Sequence, residues 1–173
     1  MLNFDHMHLG CSIELPEIAT HTSDKSSTFI VKGIFKGGMG VCIQLLHPET
    51  DQEFALKGVR PDFFREQAAM DRFLDELKVW VAASSCDLIA EALAVIRVNE
   101  LPCVLATWMP HGDLELALPR LTKAKKIQAL LRVIRGLSWV KSNLGIIHRD
   151  LKPSNILLDE NSLAYVADWG LRV

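Results

Sequence analysis

Between Thr28 and Val59 the apolar positions fall in short runs broken by turn-forming residues. Phe29-Ile30-Val31 is followed by the glycine-rich stretch Gly33 to Gly40. Val41-Cys42-Ile43-Gln44-Leu45-Leu46 is followed by His47-Pro48-Glu49-Thr50-Asp51, and Glu53 to Val59 closes the set. Runs of this length between such turns predict three strands of an antiparallel meander. From Pro61 to Ala83 the period changes: Phe64, Ala68, Phe73, Leu77, Trp80 and Val81 recur at three- and four-residue steps, predicting a helix with one apolar stripe. Ile89 to Val98 and Pro102 to Trp108, split by Asn99-Glu100, read as a hairpin, which gives five strands and one helix. Leu121 to Leu144 spreads Ile127, Leu130, Leu131, Ile134, Leu137, Trp139 and Val140 over a broad face. That predicts a helix buried among others, with Gly145 as its C-cap. Residues 1–28 are polar and irregular and read as a flexible leader. Its His6 and His8 have no further ligands nearby, so a tail describes them better than a metal site.

The densest chemistry lies after the second helix. Ile147 to Leu158 sets His148, Arg149, Asp150, Lys152 and Asn155 between two apolar runs, with Pro153 preventing a helix or a central strand. A charged loop between apolar anchors is a common seat of catalysis. A turn at Asp159-Glu160-Asn161-Ser162 then leads into a strand, Leu163 to Ala167, and on to Asp168-Trp169-Gly170. Upstream, Gly37 and Gly40 lack the side chains that would keep backbone N–H groups away from phosphate oxygens.

His148-Arg149-Asp150-Leu151-Lys152-Pro153-Ser154-Asn155 resembles the catalytic loop of serine/threonine protein kinases, H-R-D-L-x-x-x-N. Further motifs follow the order of that family, Hanks-type and bacterial-like, over residues 28–173. Gly37-Gly38-Met39-Gly40-Val41-Cys42 is similar to the end of its glycine loop. Phe35 stands at the first glycine, unless the loop is shifted and Gly33 takes that place, and Cys42 stands at the usual valine. Phe54-Ala55-Leu56-Lys57 is similar to V-A-I-K, and the helix glutamate that partners this lysine corresponds to Glu76, with Asp75 and Glu66 as fallbacks. Trp108 to Leu114 resembles the hinge, which makes Ala106 the gatekeeper and Thr107, Trp108 and Met109 the hinge residues. Asp168-Trp169-Gly170 looks like D-F-G with tryptophan for phenylalanine, eighteen residues past Asp150.

The resemblance implies an α+β, protein-kinase-like fold. A five-stranded antiparallel N-lobe with one helix is expected over 29–106. A hinge and an incomplete, mainly helical C-lobe are expected over 107–173. It implies ATP and Mg²⁺ as cofactors and a protein substrate phosphorylated on Ser or Thr. Asp150 would orient or accept the substrate hydroxyl proton, and Lys152 would neutralise the γ-phosphate. Asn155 and Asp168 would hold Mg²⁺. Gly37, Gly38, Gly40, Lys57 and Glu76 would serve the phosphates, while Cys42, Ala55, Thr107, Met109 and Leu157 would surround the adenine. No activation segment, A-P-E motif or further C-lobe helix follows Val173. The 173-residue chain alone is therefore expected to be inactive and to bind Mg-ATP weakly, with association with a missing C-lobe as a possible partner interaction. A truncated nucleotide- or partner-binding module (a pseudokinase) and a non-functional fragment are the competing readings.

Composition removes other classes. A net charge of -2 with no basic run beyond Lys123 to Lys126 gives no nucleic-acid footprint. Cys11, Cys42, Cys86 and Cys103 form no C-x-x-C pair, which argues against zinc and a secreted disulfide framework and fits the cytoplasm. The N-terminus lacks a signal-peptide pattern, and the most apolar window, Leu88 to Val98, contains Glu91 and Arg97 and is too short to span a membrane.

Overall fold

The computed structural model describes residues 7–16, 27–37, 40–59, 67–98 and 101–169. Of the positions singled out above, His6, Gly38, Phe64, Glu66, the Asn99-Glu100 turn and Gly170 lie outside the described residues. The chain forms two compact units, Met1–Leu74 with Ala92–Trp108, and Asp75–Glu91 with Met109–Arg172. This differs from a single cut after residue 106, because residues 75–91 group with the second unit.

The first unit is built on an antiparallel sheet of six strands rather than five. β1 (Ser12–Glu14), β2 (Thr28–Lys36), β3 (Gly40–Leu46), β4 (Glu53–Val59), β5 (Ala92–Val98) and β6 (Leu101–Thr107) lie in the order β1-β2-β3-β4-β6-β5. The added strand comes from the expected leader: Ile13 pairs with Phe29, and Met7, Ile13 and Leu15 are buried. The leader expectation is corrected to that extent: Ser12–Glu14 pairs with the edge of β2, and Met7, Ile13 and Leu15 join the sheet's core. Glu14 fastens this edge by accepting from Thr28 Oγ1 (2.6 Å) and Ser27 Oγ (2.7 Å), and those hydrogen bonds hold its carboxyl below the usual carboxylate range.

Period-2 burial along β3 and β4 sends Val41, Ile43, Leu45, Phe54 and Leu56 to one face, where they join Phe29, Val31, Cys103 and Leu105 in a single core. Phe29 meets Phe54 edge-on at 5.8 Å. Burial pushes the Cys103 thiol up to about 12, which leaves it inert. Gly40 is needed by the sheet itself, because a Cβ there would run into the carbonyl oxygen of Gly58 on the neighbouring strand. The nearest described atom to a Cβ on Gly37, by contrast, is the Gly40 oxygen at 3.9 Å. Gly40→Ala is accordingly expected to cost about 1–3 kcal/mol by overpacking, and Gly37→Ala clearly less. Urea unfolding of the two variants checks this, and equal costs would refute it.

α1 (Gln67–Ala83) buries Phe73, Leu77, Trp80 and Ala83. In the second unit Trp80 Nε1 donates to Ala90 O at 2.8 Å. α2 (Leu114–Ala117) is capped by Asp113. α3 (Lys123–Leu144) starts at the N-cap Thr122 and ends at Gly145, which adopts a positive φ of 71°. A hairpin of β7 (Ile156–Leu158) and β8 (Ala164–Val166) completes the unit and packs on α3. Arg132 of α3 fixes this packing: its Nε donates to Ala164 O at 2.9 Å and its guanidinium lies 4.7 Å from the Tyr165 ring centroid. α3 is not buried all round. Ala129, Val133, Gly136 and Val140 face inward, while Ile127, Leu130, Leu131 and Ile134, at i, i+3, i+4 and i+7, are each about half exposed or more.

Candidate active site

The charged loop and the D-W-G segment are brought together by the register of the small hairpin. Ile156 pairs with Val166 and Leu157 with Tyr165, so the residues just outside the pair, Asn155 and Ala167, also meet. Ala167 N donates to Asn155 O at 2.8 Å. This places Asn155 beside the residue that precedes Asp168. Asn155 sits in a single 3₁₀ turn, Pro153–Asn155, which Pro153 favours by occupying its first position.

Asp150 is held from three directions. Lys152 Nζ lies 2.9 Å from its Oδ2, and Asn155 Nδ2 donates to the same oxygen (3.2 Å) and to the Asp150 carbonyl (2.8 Å). The Asp150 N–H donates to His148 Nδ1 at 3.3 Å. His148 Nδ1 is therefore an acceptor, so the ring proton resides on Nε2, which donates to Ala167 O at 2.8 Å. The buried ring of His148 also packs against fully buried Trp169, with centroids 4.7 Å apart. One imidazole thus ties the backbone of Asp150 to the segment after β8 that carries Asp168. Arg149 and Asp168 both have positive φ, 66° and 60°, a conformation that side-chain-bearing residues adopt mostly where the surroundings impose it.

The amide of Asn155 is oriented by this network. Both of its side-chain bonds are made by Nδ2 to oxygen acceptors, so its carbonyl oxygen is the atom left to face a cation. Among the described residues no three His, Cys, Asp or Glu side chains cluster as metal ligands. The Asn155 amide oxygen and the half-buried carboxylate of Asp168, the residue after Ala167, would together offer a sparse, all-oxygen donor set. It suits a hard cation that keeps water and ligand oxygens, as Mg²⁺ does.

In the first unit, Cys42 lies directly across from Lys57 on β3 and β4, and Ala55 across from Ala106 on β4 and β6. Directly opposed residues share a face, so Cys42, Ala55 and Lys57 line one side of the sheet. Gly37 N donates to Gly40 O at 2.9 Å and closes the β2–β3 hairpin. Thr107 ends β6. Met109 and Leu157, both half-buried, belong to the second unit, as does Glu76 on α1. Of the alternatives to Glu76, Asp75 is engaged at the surface with Lys78 (2.8 Å). The sequence gives His148 no role beyond its motif and nothing that pairs Phe35 with Trp108. In the structure their rings are stacked, with centroids 5.6 Å apart and planes 28° from parallel.

Residues 30–172 match the family model described as the protein kinase domain. The chain belongs to the protein kinase family. Among its relatives, mitogen-activated protein kinase kinase 1 of Arabidopsis thaliana is 30% identical over 145 residues, covering 82% of this chain and 40% of that protein. Serine/threonine-protein kinase 12 of the same plant is 30% identical over 173 residues, covering 95% of this chain and 36% of that protein. Serine/threonine-protein kinase PknD of Chlamydia abortus is 30% identical over 154 residues, covering 82% of this chain and 16% of that protein. The chain thus spans 40% or less of the length of these three relatives. The kinase-like α+β fold and the resemblance to protein serine/threonine kinases stand on these matches together with the sheet, hairpin and loop described above. Among the described residues no helix is long and apolar enough to cross a membrane.

Proposed function

We propose that this chain takes part in ATP-dependent transfer of a phosphoryl group to a Ser or Thr hydroxyl of a protein. The observation that carries the reading is the Asp150–Lys152–Asn155 cluster, bonded together and tied through His148 and Ala167 to Asp168. ATP supplies the phosphoryl group, and Mg²⁺ supplies charge neutralisation at its phosphates. The chain's own residues do the rest. Asp150 orients the attacking hydroxyl and takes its proton, and Lys152 offsets the charge growing on the transferred group. Asn155 and Asp168 hold the metal through oxygen. Lys57, Glu76 and the backbone at Gly37, Gly38 and Gly40 take the roles that the family's motifs give their positions toward the remaining phosphates. Cys42, Ala55 and Thr107 of the first unit, and Met109 and Leu157 of the second, are the positions that the family's motifs assign to the adenine.

The half-exposed apolar stripe of α3 suits packing by further helices of the larger kinase lobe, and four cysteines outside any disulfide suit a reducing cytoplasm. The Phe35–Trp108 stack favours a second reading, a nucleotide- or partner-binding module without transfer activity. Two measurements separate them: thermal shift with Mg-ATP, and transfer of labelled γ-phosphate to a generic protein substrate. Mg-dependent stabilisation by ATP together with Asp150-dependent transfer is the expected result for the longest natural chain carrying these residues. Stabilisation without transfer supports the binding module, and neither signal sinks both.

A further inference from the structure

Phe35 and Trp108 lie on opposite sides of two intervening strands. Phe35 is near the end of β2, and Trp108 follows β6, with β3 and β4 between them in the sheet. At ordinary strand spacing that separation is about 14 Å in a flat sheet, yet the rings are stacked at 5.6 Å. The sheet must curl and the two side chains must lean toward each other over its face for this to happen.

The register says which face. Phe35 pairs with Cys42, and Cys42 with Lys57. Gly33 pairs with Gln44, Gln44 with Ala55, and Ala55 with Ala106. Trp108 N donates to Glu53 O at 3.3 Å, one row further on, and Gln44 Nε2 bonds Glu53 Oε1 at 3.1 Å on the same face. The path from Phe35 to Trp108 therefore crosses the row Gly33–Gln44–Ala55. Gly33 confirms the lean: a Cβ there would lie 2.7 and 2.9 Å from atoms of the Phe35 ring. The absence of a side chain at 33 makes the seat on which that ring lies, and the β2–β3 register shifts between Val31 and Gly33 beside it. Phe35 is nevertheless 51% exposed, so the ring is held by one stacked partner and one glycine rather than by a core.

We propose that the Phe35–Trp108 stack is an intramolecular lock over the base-binding face of the first unit, the face that carries Cys42, Ala55 and Lys57. It rests on the reading of that face as a nucleotide site. While closed, the two rings take the apolar contact that a purine would otherwise make. Nucleotide binding requires the stack to part, so the intrinsic affinity of the site is reduced by the fraction of time it is shut.

The test uses the 173-residue chain with Mg-ATP, measured by calorimetry, for wild type, Phe35→Gly, Phe35→Ser and Trp108→Ser. The variants are expected to bind about two- to tenfold more tightly, the range that a stacked aromatic pair supplies. Acrylamide quenching gives a second readout. Mg-ATP should raise the quenchable emission of wild type, Phe35→Gly should show the raised level before nucleotide is added, and Trp108→Phe should lose the change. The Ser variants cover the case in which glycine at 35 weakens the strand. If wild type binds and no variant binds more tightly, with unfolding midpoints unchanged, the lock falls and the nucleotide site stands. Weaker binding by the Phe35 variants also overturns it, since the ring would then be a platform for the base. If no protein binds Mg-ATP and quenching never responds, the nucleotide reading fails and the lock fails with it.

Discussion

Asp150→Asn is expected to lower phosphoryl transfer by about 10²–10⁴-fold while moving Mg-ATP affinity by less than about threefold. The size follows from what the carboxylate does and from how little else depends on it. Its Oδ2 accepts from Lys152 Nζ and Asn155 Nδ2, two donors that fix the group's orientation. An asparagine has the same shape, but its amide must turn its one oxygen toward those donors. A non-basic NH₂ then stands where the second carboxylate oxygen had been, and a substrate hydroxyl finds a donor in place of a proton acceptor. The lost ion pair with Lys152 counts for little in stability, because both side chains are substantially exposed and exposed pairs contribute about 0–1 kcal/mol. Steady-state kinetics and calorimetry on the longest natural chain carrying these residues make the comparison. A kcat within tenfold of wild type would remove Asp150 from the role of base. A parallel collapse of the unfolding midpoint would make it a structural residue.

How much of this was legible in the sequence depends on the range of the interaction. The charged loop stands out in the sequence because its bonds are local: Asp150 is bonded to Lys152 and Asn155 within six residues. The strands from Thr28 to Val59 were equally plain, since period-2 burial and turn residues are written along the chain. β1 was not. It is three residues long with Ile13 as its one apolar residue, and it exists only because Thr28 to Ile30 offers an edge to pair with. The helical period of α3 showed apolar positions all round but not which of them anything covers. Ile127 and Val133 look alike in sequence, and one is half exposed while the other is 4% exposed. The His148–Trp169 and Phe35–Trp108 contacts were invisible for a third reason. Each is set by strand register between distant segments, and a motif aligned residue by residue carries no information on which rings meet.

The His148–Trp169 contact gives the largest expected effect on stability. Trp169→Ala is expected to cost about 3–5 kcal/mol, because it removes a fully buried indole and leaves a cavity that cannot close completely. Trp169→Phe, which restores the ring usual in the family's D-F-G, is expected to cost far less and can even stabilise. Among the described residues the indole Nε1 is buried without a hydrogen-bond partner, and an unsatisfied buried donor costs about 1–3 kcal/mol that phenylalanine would not incur. The smaller ring loses some contact in return, so the two terms oppose each other and the net change is small. The consequence for the site follows from the chain of contacts. Trp169 packs on the imidazole of His148, His148 Nε2 holds Ala167 O, and His148 Nδ1 receives the Asp150 N–H. Emptying the tryptophan site is therefore expected to loosen the Asp150 loop and the Ala167–Asp168 segment together. Urea unfolding ranks the three proteins, and amide hydrogen exchange at Asp150 shows whether the loosening reaches the loop. Faster exchange at Asp150 in Trp169→Ala, with protection kept in Trp169→Phe, is the expected pattern. An alanine variant as stable as wild type would mean that the indole is not what holds His148 in place.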